Sequence, residues 1–277
     1  MKFGYHTIRW GYQKVAPFFP KILSEISEAG FKAFDANDVD VIPFLQNKRG
    51  FFDILSEYEM HLVGIYCPGQ FIAKSVIDWF ILNSYMKETQ RFIGLAEFAA
   101  SVGCERLVVG GGHKREKGIR EKDYITLSKT LNTIGKRCND LNIELTYHPS
   151  LKTIVENKDQ VAKLCELTNP DLVHLTLETG HLYIAEVNLV ELINTYGERI
   201  DHVHFKDVKN GKFVELGKGI IDFSMIMKSL KKIGYNGWVI IEDEVGSNTH
   251  LVDSATTTPL ETAKNSKKYI EKLNKMI

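Results

Sequence analysis

The chain has 277 residues, 44% hydrophobic and 25% charged, and its 35 Lys and Arg balance its 35 Asp and Glu to a net charge of zero. That length builds one large globular core or two modest ones, and the even charge gives no sign of the broad basic surface of a nucleic-acid-binding protein, leaving room only for a local basic patch. No run approaches the roughly 18 apolar residues of a membrane span, and even VIDWFILNSYM is interrupted by Asp78 and Asn83. The N-terminal MKFGYHTIRWGYQK has no apolar segment of the secretory type, so the expected setting is the cytoplasm, with no membrane partner. Cys67, Cys104, Cys138 and Cys165 form no CxxC pair and no zinc-finger spacing, which reads as four reduced, mostly buried thiols.

Eight strand-like runs succeed one another: KFGYH (2–6), FKAFDA (31–36), HLVGIY (61–66), RLVVGG (106–111), IELTYH (143–148), VHLTLE (173–178), HVHFKD (202–207) and WVIIED (238–243). Their spacing is that of βα units rather than hairpins. Amphipathic stretches lie between them. PKILSEISEAG (20–30) and RFIGLAEFAASVG (91–103) each stop at a glycine, TLSKTLNTIGKRCNDLN (126–142) repeats apolar positions at three and four, and DFSMIMKSLKKIG (222–234) opens on Asp222 as an N-cap. The alternation predicts an α/β fold, a single (β/α)8 TIM barrel over residues 1–277. A doubly wound open sheet is the runner-up; its Gly-rich turn after the first strand is here HTIRWG.

Side chains alternate faces along a strand. In IELTYH one face carries Ile143, Leu145 and Tyr147, the other Glu144, Thr146 and His148. VHLTLE divides into Val173, Leu175 and Leu177 against His174, Thr176 and Glu178, and HVHFKD into Val203 and Phe205 against His202, His204 and Lys206. In the last run Val239 and Ile241 oppose Trp238, Ile240 and Glu242. Parallel strands covered on both faces are normally apolar throughout, and burying unpaired ionisable groups is costly. The polar face therefore points to a metal or polar substrate at the strands' carboxyl ends. The last inward polar residues are His148, Glu178, His204 or Lys206, and Glu242. Two imidazoles and two carboxylates suit Mn²⁺, Co²⁺, Zn²⁺ or Fe²⁺ better than Ca²⁺; Mn²⁺ is the leading expectation, with Mg²⁺ also an alternative. His204 leads as the ligand from its strand, and His202, one layer deeper, is a supporting hydrogen-bond partner.

LETGH (177–181), HVHFKD, LGKGIIDF (216–223) and GYNGWVIIED (234–243) resemble the xylose-isomerase-like TIM barrels, which include sugar and sugar-phosphate isomerases and epimerases, inosose dehydratases and endonuclease IV. TIRWG (7–11) and LTYHPS (145–150) look closest to the inosose dehydratase branch. The resemblance implies a divalent metal held at the ends of strands five to eight, in the epimerase branch by Glu, Asp, His and Glu. Carried over by position these are His148, Glu178, His204 and Glu242. Glu178 in place of Asp only lengthens the arm. His148 in place of Glu removes one of the two glutamates that exchange a proton on opposite faces of an epimerase substrate, and leaves Glu242 as the base. That favours β-elimination or a one-base isomerisation.

The expected substrate is a small carbohydrate, polyol or sugar phosphate, and the expected chemistry is proton abstraction beside a polarised carbonyl. Isomerase or epimerase is the broad expectation, inosose-type dehydratase (a lyase) the close alternative, and a non-catalytic sugar-binding barrel a third. Endonuclease-like DNA repair is disfavoured by the neutral charge and too few further ligands. Catalytic candidates are Glu242, His181 and Lys206. His181 either contacts substrate, as the resemblance implies, or caps its loop; Lys206 either assists a leaving hydroxide or pairs with a barrel carboxylate. His6, Trp10, Tyr66 and His113 are candidate substrate contacts, the last within GGGHKRE (110–116), a turn that either reads a phosphate or is a solvated loop. Asp243 is expected to face away from the barrel interior. By analogy with the family, homodimers or tetramers are expected.

Overall fold

A computed structural model describes residues 1–11, 16–69, 78–112, 118–244 and 257–277. Its strands are β1 (Lys2–His6), β2 (Ala33–Asn37), β3 (His61–Gly69), β4 (Arg106–Gly111), β5 (Glu144–His148), β6 (His174–Glu178), β7 (Ile200–Phe205), β8 (Asp207–Lys209), β9 (Lys212–Val214) and β10 (Trp238–Ile241). The α-helices are α1 (Phe19–Glu28), α2 (Asp38–Val41), α3 (Lys48–Glu57), α4 (Asp78–Ser101), α5 (Glu121–Asp140), α6 (Lys158–Leu167), α7 (Thr179–Ile184), α8 (Leu189–Tyr196), α9 (Phe223–Lys232) and α10 (Pro259–Lys275). β1 to β7 pair in sequence order, and β10 closes the circle between β7 and β1; every barrel pairing is parallel. The open-sheet alternative is thereby excluded.

The strand faces divide as alternation requires. Leu145, Tyr147, Leu175, Leu177, Val203, Phe205, Val239 and Ile241 are buried in the large core between barrel and helices. The helices present matching stripes: Ile22, Leu23 and Ile26 on α1, Leu127, Leu131 and Ile134 on α5, and Phe223, Ile226, Met227 and Leu230 on α9. Phe223 and Phe205 meet with ring centroids 4.7 Å apart. Asp222 caps α9, accepting from the Met225 N–H at 3.0 Å, as its place before an amphipathic stretch predicts.

Inside the barrel, an apolar floor of Ala33, Val63 and Ile240, with Trp238 against it, closes the amino-terminal end. Gly4 makes this floor possible, since a Cβ there would lie 2.7 Å from Ile240 Cδ1 and 2.9 Å from the Ala33 carbonyl. Above the floor the interior turns polar, beginning with a Thr146–Thr176 hydroxyl pair at 2.8 Å. The burden of polar side chains therefore falls at the carboxyl ends, where TIM barrels carry their sites.

Two elements depart from the expected runs. β7 begins at Ile200 and ends at Phe205, so Lys206 lies just beyond the strand. Asp207 then opens the antiparallel β8–β9 hairpin, whose turn is Asn210 (φ 53°) and Gly211 (φ 71°). Asn-Gly is the sequence that tolerates two successive positive φ angles in a two-residue hairpin. Asp207 pins the following loop, its carboxylate accepting from the N–H groups of Val208, Gly217, Gly219 and Ile221.

Candidate metal centre

His148 ends β5, Glu178 ends β6, His204 is the penultimate residue of β7 and Glu242 follows β10. All four are buried, and each offers one ligand atom within 4.8 Å of the other three. His148 Nε2 lies 3.4 Å from Glu178 Oε2 and 3.9 Å from Glu242 Oε2, and His204 Nδ1 lies 3.8 Å from Glu178 Oε2. Nitrogen and oxygen ligands at about 2.0–2.2 Å around a tetrahedral ion stand roughly 3.3 Å apart, so these somewhat wider separations leave room for an ion. The fourth, His204 Nδ1 to Glu242 Oε2 at 2.8 Å, is a hydrogen bond.

Each candidate ligand has its other polar atom engaged. His148 Nδ1 shares a hydrogen bond with the Ser150 hydroxyl at 2.8 Å, and Glu178 Oε1 accepts from the Gly180 and His181 N–H groups, capping α7. His204 Nε2 is bonded to Asp35 Oδ2 at 3.0 Å. What remains is a pair of buried atoms with no hydrogen-bond partner, His148 Nε2 and Glu178 Oε2, facing each other. Orphaned buried polar atoms are rare and call for an explanation. A divalent ion fits: it would satisfy both, and the donor set is one that Mn²⁺, Co²⁺, Zn²⁺ or Fe²⁺ accepts.

The electrostatics agree. Asp35, Glu178, Glu242 and Glu244 gather at this end of the barrel, and the permanent cation set against them is Lys206. In the metal-free protein, protons supply the missing charge. Burial opposes charging of His204, but Asp35 and Glu242 override it and raise its pKa to about 10. Burial likewise opposes His148, and Glu178 and Glu242 raise it. Burial alone would raise Glu242; Lys206, His148 and His204 instead hold it well below the usual carboxylate range.

Lys206 is buried, and its ammonium donates to Glu242 Oε1 and Glu244 Oε2, each at 2.8 Å. It also lies over the Phe213 ring, 4.6 Å from the centroid. The Lys206 stem passes over Gly180, where a Cβ would come within 2.8 Å of Cγ. His181 Nε2 stands 3.4 Å from Lys206 Nζ, and His181 Nδ1 accepts from the Leu151 N–H at 3.2 Å. Burial, Lys206 and His148 keep the His181 ring neutral, its pKa well below the ordinary value. With Nδ1 occupied as an acceptor, the ring proton sits on Nε2; Lys206 is also a donor, so their 3.4 Å approach is not a hydrogen bond and His181 Nε2–H is left as a donor.

The rings of His6 and Tyr66 complete the wall: His6 lies 5.6 Å from His204 and 6.3 Å from Tyr66, and Tyr66 lies 5.0 Å from His148. His6 Nδ1 accepts from the Ile8 N–H at 3.0 Å, while Nε2 is buried without a partner. Trp10 contacts Tyr5 and Glu25. Its ring stands edge-on to Tyr5 at 5.8 Å, and its indole N–H donates to Glu25 on α1. Tyr5 belongs to the helix-side core. His113 and the GGGHKRE turn beyond Gly112 lie outside the described residues. Asp243 faces outward, accepting from Tyr5 Oη at 2.8 Å, Ser266 Oγ at 2.6 Å and the Leu216 N–H at 2.7 Å.

The expectations omitted Asp35, Asn37 and Ser150. Asp35 sits mid-strand in β2 and bonds His202 Nε2 at 2.7 Å as well as His204. Asn37, two residues on and thus on the same face, is buried with Oδ1 unpartnered. The alternation test applied to FKAFDA and its continuation would have found both.

A closed (β/α)8 barrel with a buried His/Glu set at the carboxyl ends of its strands defines the class, a TIM barrel organised around one polar mouth. The profile of the xylose isomerase-like TIM barrel family matches residues 23–273, and the chain belongs to that family. Among its relatives, the inosose dehydratase of Geobacillus kaustophilus is 28% identical over 285 residues, covering 91% of this chain and 86% of its own. That of Clostridium beijerinckii is 29% identical over 232 residues, covering 72% and 76%. The structure of an L-ribulose 3-epimerase superposes with a TM-score of 0.83 at 17% identity, covering 100% of this chain and 95% of that one; at that identity the likeness establishes the fold.

Proposed function

We propose that this protein is a divalent-metal-dependent enzyme that removes the proton beside the carbonyl of a keto-polyol or keto-sugar and then expels a β-hydroxyl as water. The reading is thus the dehydratase alternative, and its substrate class follows the inosose dehydratase relatives. The observation that carries it is the buried contact of Glu242 Oε1 with Lys206 Nζ at 2.8 Å, a base and an acid side by side. The other carboxylate of the set, Glu178, has Oε1 committed to capping α7, which speaks against a second base on the opposite substrate face.

His148, Glu178, His204 and Glu242 would hold the ion, which when bound supplies Lewis acidity at the carbonyl oxygen. Glu242 keeps Oε2 toward His204 and takes the α-proton at Oε1. Lys206 donates a proton to the β-hydroxyl, whose C–O bond breaks as the carbon–carbon double bond forms, and water leaves. Glu242 is then protonated and Lys206 neutral; the proton returns from Oε1 to Nζ across their contact, and both groups are reset. A substrate hydroxyl accepting from Lys206 weakens its hold on Glu242, so the base strengthens when substrate is present. His181 Nε2–H orients a substrate oxygen, the unpartnered His6 Nε2–H donates to a hydroxyl remote from the reacting carbons, and Asn37 Oδ1 accepts from one.

The test uses a keto-inositol with Mn²⁺ in deuterated water. Wild type is expected to release water and form an unsaturated dione; Lys206→Met is expected to exchange the α-proton for deuterium while losing water release, and Glu242→Gln to lose both. Deuterium exchange and isomer formation by wild type without water loss would instead establish the isomerase alternative.

A further inference from the structure

We propose that Asp35 is the positioning residue of this centre: its carboxylate fixes the ring proton of His204 on Nε2 and so reserves Nδ1 for the metal. The inference rests on the metal reading above. One oxygen, Asp35 Oδ2, meets both His204 Nε2 at 3.0 Å and His202 Nε2 at 2.7 Å. A carboxylate accepts only, so both rings present Nε2–H to it. That leaves His204 Nδ1 on the side of Glu178 and Glu242. His202, fully buried one layer deeper, anchors Asp35 from below.

The fold makes room for this carboxylate. Gly64 on β3 pairs with Asp35 at a register shift between β2 and β3, and a Cβ there would stand 3.0 Å from both Asp35 oxygens. Asp35, His202 and His204 also form a group compact enough to suggest a second cation site. Their spacing argues otherwise. Contacts of 2.7 and 3.0 Å are hydrogen bonds, shorter than the roughly 3.3 Å separating ligands of a tetrahedral ion, whereas the upper set has one such contact, His204–Glu242 at 2.8 Å, and three gaps of 3.4 to 3.9 Å.

The Asp35→Asn substitution discriminates the roles. Its side-chain amide can donate to His204 Nε2, which moves the ring proton to Nδ1 and turns it against the metal. Zinc alone is titrated into the metal-free wild type, Asp35→Asn and Gly64→Ala proteins, with thermal melts as folding controls. Expected are one equivalent in wild type, about 10–100-fold weaker binding in Asp35→Asn, and an intermediate loss in Gly64→Ala, which crowds Asp35 without removing it and serves where Asp35→Asn fails to fold. Histidine ¹⁵N spectra of the zinc-loaded proteins supply a readout that mere loss of packing does not move: the His204 proton on Nε2 in wild type and on Nδ1 in Asp35→Asn. Unchanged affinity in both variants overturns the role of Asp35 while leaving the metal centre intact. Two equivalents in wild type, one lost in Asp35→Asn, makes Asp35 a ligand and also overturns it. No zinc bound by wild type overturns the metal reading and this inference with it.

Discussion

Metal and protons compete for His204, and the strength of that competition can be worked out from the site. In the metal-free protein His204 bridges Glu242 at 2.8 Å and Asp35 at 3.0 Å, and these carboxylates, against the effect of burial, raise its pKa to about 10. At pH 7 the ring therefore carries a proton on Nδ1 that an incoming ion must displace. Each pH unit toward 10 removes about 1.4 kcal/mol of that cost, so affinity rises about tenfold per unit. His148, also raised by Glu178 and Glu242, can only steepen the trend. The assay is Mn²⁺ binding against a fluorescent competitor at pH 7, 8 and 9, with calorimetry in buffers of differing ionisation enthalpy to count released protons. At least one proton per ion and a rise of about 100-fold over the two units are expected. An affinity flat with pH, with no proton released, would refute the reasoning.

Three further outcomes follow from the same geometry. Because the His204 pKa is raised above the unfolded 6.5, its ion pairs stabilise the metal-free fold fully below about pH 6.5, and that contribution fades as pH rises through about 10; thermal melts should show alkaline loss in metal-free protein and much less in metal-loaded protein. Burial, only partly offset by hydrogen bonds from Thr7 and Asn37, raises Asp40 from 3.8 to about 6, so the folded protein binds the extra proton between those values and stability from this group falls as pH rises through that window. Asp40→Asn should remove this dependence, gaining up to about 3 kcal/mol on wild type between pH 4 and pH 7, read by urea unfolding at several pH values. His148→Glu should still bind an ion and, because Lys206 remains as the acid, still release water; faster proton exchange leading to an epimer would favour the two-base alternative.

The barrel was legible because eight short apolar runs alternate with helix-length amphipathic stretches, and the clustering of His148, Glu178, His204 and Glu242 was legible because side chains in strands alternate with period two. Each is at or next to its strand's last inward position, where one sequence offset suffices. Asp35 was passed over although alternation puts it on the inward face, because it lies mid-strand among apolar neighbours and its partners are 167 and 169 residues away in the chain. The β8–β9 hairpin was announced by Asn210-Gly211 but overshadowed by the βα rhythm around it.

Whether these residues hold a metal decides the account, and metal content measures it directly. Wild type and His204→Ala, prepared without affinity-tag histidines, are to be analysed by inductively coupled plasma mass spectrometry after reconstitution with Mn²⁺, Co²⁺, Zn²⁺ or Fe²⁺. The account predicts near-stoichiometric metal in wild type and its loss in His204→Ala with the fold intact. Metal-free wild type after every reconstitution, or equal metal in both proteins, would contradict it.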